Sequence, residues 1–130
     1  MTTRQQQMAL SAYDRVTAVE GQRPDYRQKY GTMAHKLPLL IHTAGLAQAL
    51  AFVESRNEDA HTQLLQHLAE TIDHAGIHHG RELATRSRAA ELDEYMLLTR
   101  RVLAALVWYK RFVESILKIE MRDEANGGGI

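Results

Sequence analysis

Seven histidines in 130 residues are the first candidates for chemistry. His74, His78 and His79 cluster, with His67 and Glu70 one or two turns earlier, and such groups can hold a metal or move protons. The spacing argues against that use. Gly76 sits inside the His74-x-x-x-His78 pair, so coordination would rest on the most permissive kind of backbone. A carboxylate-bridged di-iron bundle needs two Glu-x-x-His pairs and two further Glu on facing helices, and only Glu58 to His61 offers such a pair. The bland reading is of exposed histidines near a helix C-terminus, where positive charge is favoured. A metal-binding helical-bundle enzyme using His61, His67, His74 or His78 stays as an alternative.

Nucleophilic catalysis fares no better. There is no G-x-S-x-G elbow, no P-loop and no G-x-G-x-x-G. Cysteine is absent, which excludes disulfides, thiolate metal sites and a thiol nucleophile. No catalytic residue, metal site or cofactor is expected.

A different chemistry is written in LTRRVLAALVWYKRFVESILK, residues 98–118. On a helix, Arg111 falls about 20° from Arg100 after three turns and Lys118 returns to the same side, giving a basic stripe about 27 Å long. That length spans several phosphates. Lys110 flanks it, and Arg101, Trp108 and Phe112 share a neighbouring face. Aromatics beside Arg can stack on bases, but in a bundle they are more often packing anchors, and packing, between subunits included, is the expectation for Trp108 and Phe112. Lys29 and Lys36 fall two turns apart on another helix. An ordinary solvated face is the usual meaning of such sparse charge.

These side chains must be carried by helices. From Arg4 to Val19, the apolar or small residues Met8, Ala9, Ala12, Tyr13, Val16 and Val19 recur at intervals of three and four, which predicts a first amphipathic helix. Pro24 suits the opening turn of a second. There Tyr26, Tyr30, Met33, Leu37, Leu40 or Ile41, and Ala44 keep the helical spacing straight through Pro38, so one kinked helix is expected, at a cost of about 3 kcal/mol that packing must offset. Gly45 stops or bends it, and Leu46, Ala49, Leu50 and Val53 resume the pattern. His61 to Ile72 forms another helix. The polar stretch after Ala75 reads as a loop with at most a short helix. From Ala89 to Glu120 there is no Pro or Gly, which predicts the longest helix, about 45 Å. No strand-like alternation occurs. The expected fold is all-α: a compact bundle of five to six helices with a Pro-kinked second helix and a long C-terminal one.

Length implies one domain over residues 1–130, with about 121–130 a flexible tail. Sixteen Lys+Arg balance sixteen Asp+Glu, which excludes a nucleic-acid binder driven by bulk charge. Any polyanion site must come from local segregation. Arg outnumbers Lys twelve to four, a bias suited to bidentate phosphate or carboxylate contacts. No signal-peptide core or membrane span is visible, so a soluble cytoplasmic protein without membrane partners is expected.

Two strings, KLPLLIHTAGLAQALAFVESR at 36–56 and EYMLLTRRVLAALVWYKRFVESILK at 94–118, carry a family resemblance. The specific parts are Lys36-Leu37-Pro38 with Ile41, then Gly45-Leu46-x-Gln48-x-Leu50-Ala51-Phe52, then Leu98-Thr99-Arg100 leading to Trp108-Tyr109-Lys110-Arg111-Phe112. From about Ala9 to Ile119 the chain resembles the small subunit of the type III-B CRISPR effector, the Cmr complex. That resemblance implies a helical protein without enzymatic activity. It implies several stacked copies forming the inner filament of an RNA-guided, RNA-targeting ribonucleoprotein used in antiviral defence. Implied partners are the other effector subunits, copies of itself, guide RNA and target RNA. Sequence would then be read by base pairing, leaving the protein only phosphates to contact. Lys36, Arg100, Lys110 and Arg111, with Lys29 and Lys118, are the residues expected to do so. A homodimeric adaptor binding protein through Trp108 and Phe112 is the second alternative.

Overall fold

The computed structural model describes residues 1–121. Among them are six helices and no strand: α1 (Arg4–Val19), α2 (Pro24–Ala44), α3 (Leu46–Ser55), α4 (Asp59–Ile72), α5 (Gly80–Ala89) and α6 (Leu92–Ser115). The flexible tail expected over about 121–130 falls, beyond Met121, outside the described residues.

Local rules set most boundaries. Thr3 and Gln6 close a capping box on α1, Gln6 N–H donating to Thr3 Oγ1 (3.1 Å) and Thr3 N–H to Gln6 Oε1 (2.8 Å). Pro24 opens α2, and Pro38 lies inside it, as the unbroken spacing predicts. Gly45 separates α2 from α3 with φ +88°, a conformation that a side chain would strain. A Cβ there would also come within 3.1 Å of Tyr95 Oη. That same hydroxyl accepts from Ala47 N–H at 3.1 Å, so α6 pins the α2–α3 corner.

Two expectations fail. The stretch after Ala75 is not chiefly loop, since it holds the ten-residue α5. Glu82 accepts from the backbone N–H groups of His78 (2.7 Å) and His79 (3.0 Å) and nucleates the helix. Its buried face is Gly80, Leu83, Ala84 and Ser87, correctly spaced but too small to register as an apolar stripe. In turn α6 stops at Ser115, short of Glu120. Lys118 takes φ +61°, and Ile119 N–H reaches back to the Val113 carbonyl at 3.2 Å, a left-handed reversal of the kind that ends helices. The reversal buries Leu117 and Ile119. Ile119 and Val113 fill a notch at Gly31, where a Cβ would sit 2.9 Å from each side chain.

The centre of the bundle is α4, which packs on all five other helices. Leu64, Leu68, Ala69 and Ile72 are fully buried and join one contiguous apolar cluster. A polar chain crosses the same core. Glu70 accepts from Arg15 (2.8 Å), Arg15 donates to Ser11 Oγ (2.9 Å), and Ser11 meets Thr71 Oγ1 (2.7 Å). Thr71 then meets Tyr109 Oη (2.6 Å), which donates to the His67 carbonyl (3.1 Å).

Candidate nucleic-acid interface

The basic residues singled out by sequence are all at or near the surface, but they form two groups. Arg100 and Arg111 stand exposed on the outer face of α6, eleven residues and about 17 Å apart along the axis. Neither makes an ion pair among the described residues. Arg111 lies over the Trp108 ring, 6.0 Å from its centroid, a placement that fixes the guanidinium while leaving its donors outward. Lys110 is half-buried beside them. Lys118, expected to complete the stripe, does not: it sits past the end of α6 in the left-handed turn. The stripe is therefore shorter than helical continuation predicts.

The second group is on α2. Lys29 is half-exposed and donates to Glu58 Oε1 at 3.0 Å. This bond holds the Glu58 carboxyl below the usual range. Lys36 is exposed and, among the described residues, makes no ion pair. Both lysines line a cavity of about 160 Å³ with Arg56 and His61, and no α6 residue contributes to it. The flank of α2 that meets α6 is a different one, carrying Gly31 and His35. The α6 pair and the α2 pair thus do not share a single cleft. Sequence reasoning took His61 only as a candidate metal ligand and gave Arg56 no role, because the link between α3 and α4 gave no periodic signal that would lay it against α2.

The histidines are mostly structural, and mostly not exposed. His35, His61, His67 and His74 are all buried, while His78 and His79 are exposed. His35 Nε2 lies 2.9 Å from the Ile119 carbonyl; since a carbonyl only accepts, the ring donates and clips the reversed segment to α2. His67 has both ring nitrogens engaged, Nδ1 with Tyr30 Oη and Nε2 with the Gln63 amide, each at 2.7 Å. Burial pushes its pKa down to about 4. His74 Nδ1 takes a hydrogen bond from Arg101 (2.8 Å), so its Nε2–H donates to Glu94 (2.9 Å). Glu94 also accepts from Arg86 at 2.7 Å. Arg101 is thus engaged inside the chain. Among the described residues no group of three or more metal-ligating side chains converges, so His61, His67, His74 and His78 are not brought together as the metal alternative required.

Trp108 and Phe112 pack within the chain. Trp108 stacks on Phe112 (centroids 5.9 Å apart) and donates to Gln5 Oε1 at 2.9 Å, and Phe112 meets Tyr13 edge-on at 5.4 Å. They join α6 to α1, which is the packing role expected of them.

The order and lengths of these helices have a counterpart in a solved structure. The X-ray crystal structure of a CRISPR-associated Cmr5 family protein from Thermus thermophilus superposes with a TM-score of 0.81 at 45% identity, covering 90% of this chain and 99% of that one. In sequence, the CRISPR system Cmr subunit Cmr5 of Thermus thermophilus is 45% identical over 118 residues, 91% of this chain and 99% of its own length. The model of the family described as CRISPR-associated protein (Cas_Cmr5) matches residues 4–116. The chain belongs to the Cmr5 family. That match takes in α4, α5 and the histidine-bearing segment between them, which the resembling strings had left out. In this Cmr5-family fold, the strings themselves map to α2 from Lys36, the Gly45 corner, α3 and α6, where they mix core positions such as Leu37, Leu50 and Tyr109 with exposed ones such as Gln48, Phe52 and Arg100. No helix among the described residues is long and apolar enough to cross a membrane.

Proposed function

We propose that this protein is a single-domain, non-catalytic structural subunit of a cytoplasmic, RNA-guided, RNA-targeting CRISPR ribonucleoprotein. Several copies stack head to tail as its inner filament, and their basic residues support the guide–target duplex through phosphate contacts. The observation that carries this reading is the match to a protein named as a Cmr subunit along 99% of that protein's length. The contact residues are Lys36, Arg100, Lys110 and Arg111, with Lys29 and Lys118 secondary. Arg100 and Arg111 support it best, being exposed and without ion-pair partners among the described residues. A zero net charge suits a subunit whose affinity comes from assembly, because phosphate contacts then position rather than recruit. Exposed Leu92 and Met96 at the start of α6, and exposed Met121 past its end, supply apolar surface for stacking.

The test is a salt titration of target-RNA binding by the assembled complex. Reversing charge at Arg100 and Arg111 should weaken binding and lower the slope of log affinity against log salt by about one per lost contact. An unchanged affinity and slope would reject the α6 assignment. Sedimentation of the free chain over a concentration series tests stacking, with self-association expected.

A further inference from the structure

The cavity between α2 and the α3–α4 link has a composition that structural packing does not account for. Lys29, Lys36 and Arg56 face a single carboxylate, Glu58, across about 160 Å³, with Thr32 and His61 completing the wall. Glu58 is already engaged by Lys29. Arg56 lies over the Phe52 ring, 5.7 Å from its centroid, and makes no ion pair among the described residues. His61 is only 4% exposed, and its Nδ1 has no hydrogen-bond partner, a cost that folded proteins rarely leave uncompensated. The cavity also sits where α4 begins. The N-cap residue Glu58 makes no side-chain hydrogen bond to the first turn, whose N–H groups add positive potential that the Asp59 carboxylate in the same turn partly offsets.

We propose that this cavity is an oxyanion site that takes one phosphate group, held by Lys36 and Arg56, with His61 gaining a proton as the anion enters. The groups facing His61 set that coupling. Arg56 from the link and the Lys29 ammonium from α2 oppose a charge on the ring, whereas Glu58 and a hydrogen bond to the Lys29 backbone favour one. Burial, and then Arg56, hold the His61 pKa below its ordinary value. A phosphate between these cations supplies the missing negative charge and reverses the balance. The chemistry is shared by an RNA phosphodiester and by a free phosphate or monoester. In its RNA form the inference rests on the function proposed above.

Ring-resonance NMR of the full chain tests it, with inorganic phosphate and a short single-stranded oligoribonucleotide as probes. Both should shift the His61 ring signals saturably and raise its titration midpoint. In a Lys36→Gln, Arg56→Gln double variant the affinities should fall by about tenfold or more. Both replaced side chains are exposed, and an unchanged unfolding midpoint shows that the variant is folded. A response to inorganic phosphate alone supports the site and assigns it to a small phosphate. No response to either probe, or responses that survive the double variant, overturns it. If reversal at Arg100 and Arg111 leaves RNA binding by the complex intact while phosphate still titrates His61, the α6 assignment falls and the site stands. The opposite pattern removes the site alone.

Discussion

The interior around α4 and the cavity beside its N-terminus treat polar groups in opposite ways. Running from the surface into the interior, Glu70, Arg15, Ser11, Thr71, Tyr109 and the His67 carbonyl are joined into one hydrogen-bonded chain, and the His67 ring is held at both nitrogens. At the cavity, six residues upstream on the same helix, His61 Nδ1 has no partner and three cations face one carboxylate. A closed network contributes to stability and specifies one packing. An open one contributes little to the fold and leaves donors for a ligand. Both regions use His, Lys and Arg, so residue type alone does not separate scaffold from surface function.

The contrast breaks most visibly from the interior. Leu68→Ala removes a fully buried side chain from α4 and should cost about 2–5 kcal/mol, read as a lower denaturation midpoint. Acid is the next largest lever. His67 has a folded pKa of about 4 against 6.5 for the ordinary imidazole, so the unfolded chain binds the extra proton first as pH falls. Its contribution is intact above pH 6.5 and is lost progressively toward pH 4, on the order of 3 kcal/mol in all. Urea unfolding at pH 7 and pH 4.5 should show most of that loss, and His67→Gln should flatten it. His61, also lowered, adds loss in the same direction, and the carboxylates lowered by their partners begin to contribute only below their own ordinary range. The smallest effect should come from the cavity. Lys36→Gln with Arg56→Gln should change stability by no more than about 0.5 kcal/mol, whereas a large loss would make those side chains part of the scaffold and dissolve the contrast.

Much of this architecture was legible residue by residue. The 3–4 spacing from Met8 to Val19 gave α1 its bounds and most of its face, with Tyr13 lying exposed beside it, and the unbroken spacing through Pro38 gave a single α2. The exposure of Arg100 and Arg111 followed from the α6 wheel. The failures share a cause. α5 escaped notice because its contact surface is made of small residues whose fit depends on the helices it lies against. Lys118 was misplaced because α6 ends where Gly31 on α2 offers a notch to Ile119, a signal more than eighty residues away. The histidines read as exposed because a polar side chain looks buried only when its partner is known.

By itself, then, the sequence determined the helices other than α5, most of their buried faces, the family likeness and the exclusion of thiol chemistry. Each of these depends on residue identity or on neighbours within a turn or two, where helical geometry is fixed. Tertiary structure alone decided which charges are paired. Lys29 meets Glu58, Arg101 meets His74 and Arg15 meets Glu70 across 29, 27 and 55 residues of chain, while Lys36, Arg56 and His61 converge without a matching set of carboxylates. Electrostatic pairing acts over a few ångströms of space whatever the distance along the chain, so the difference between a solvated lysine and a binding residue appears only once the helices are packed.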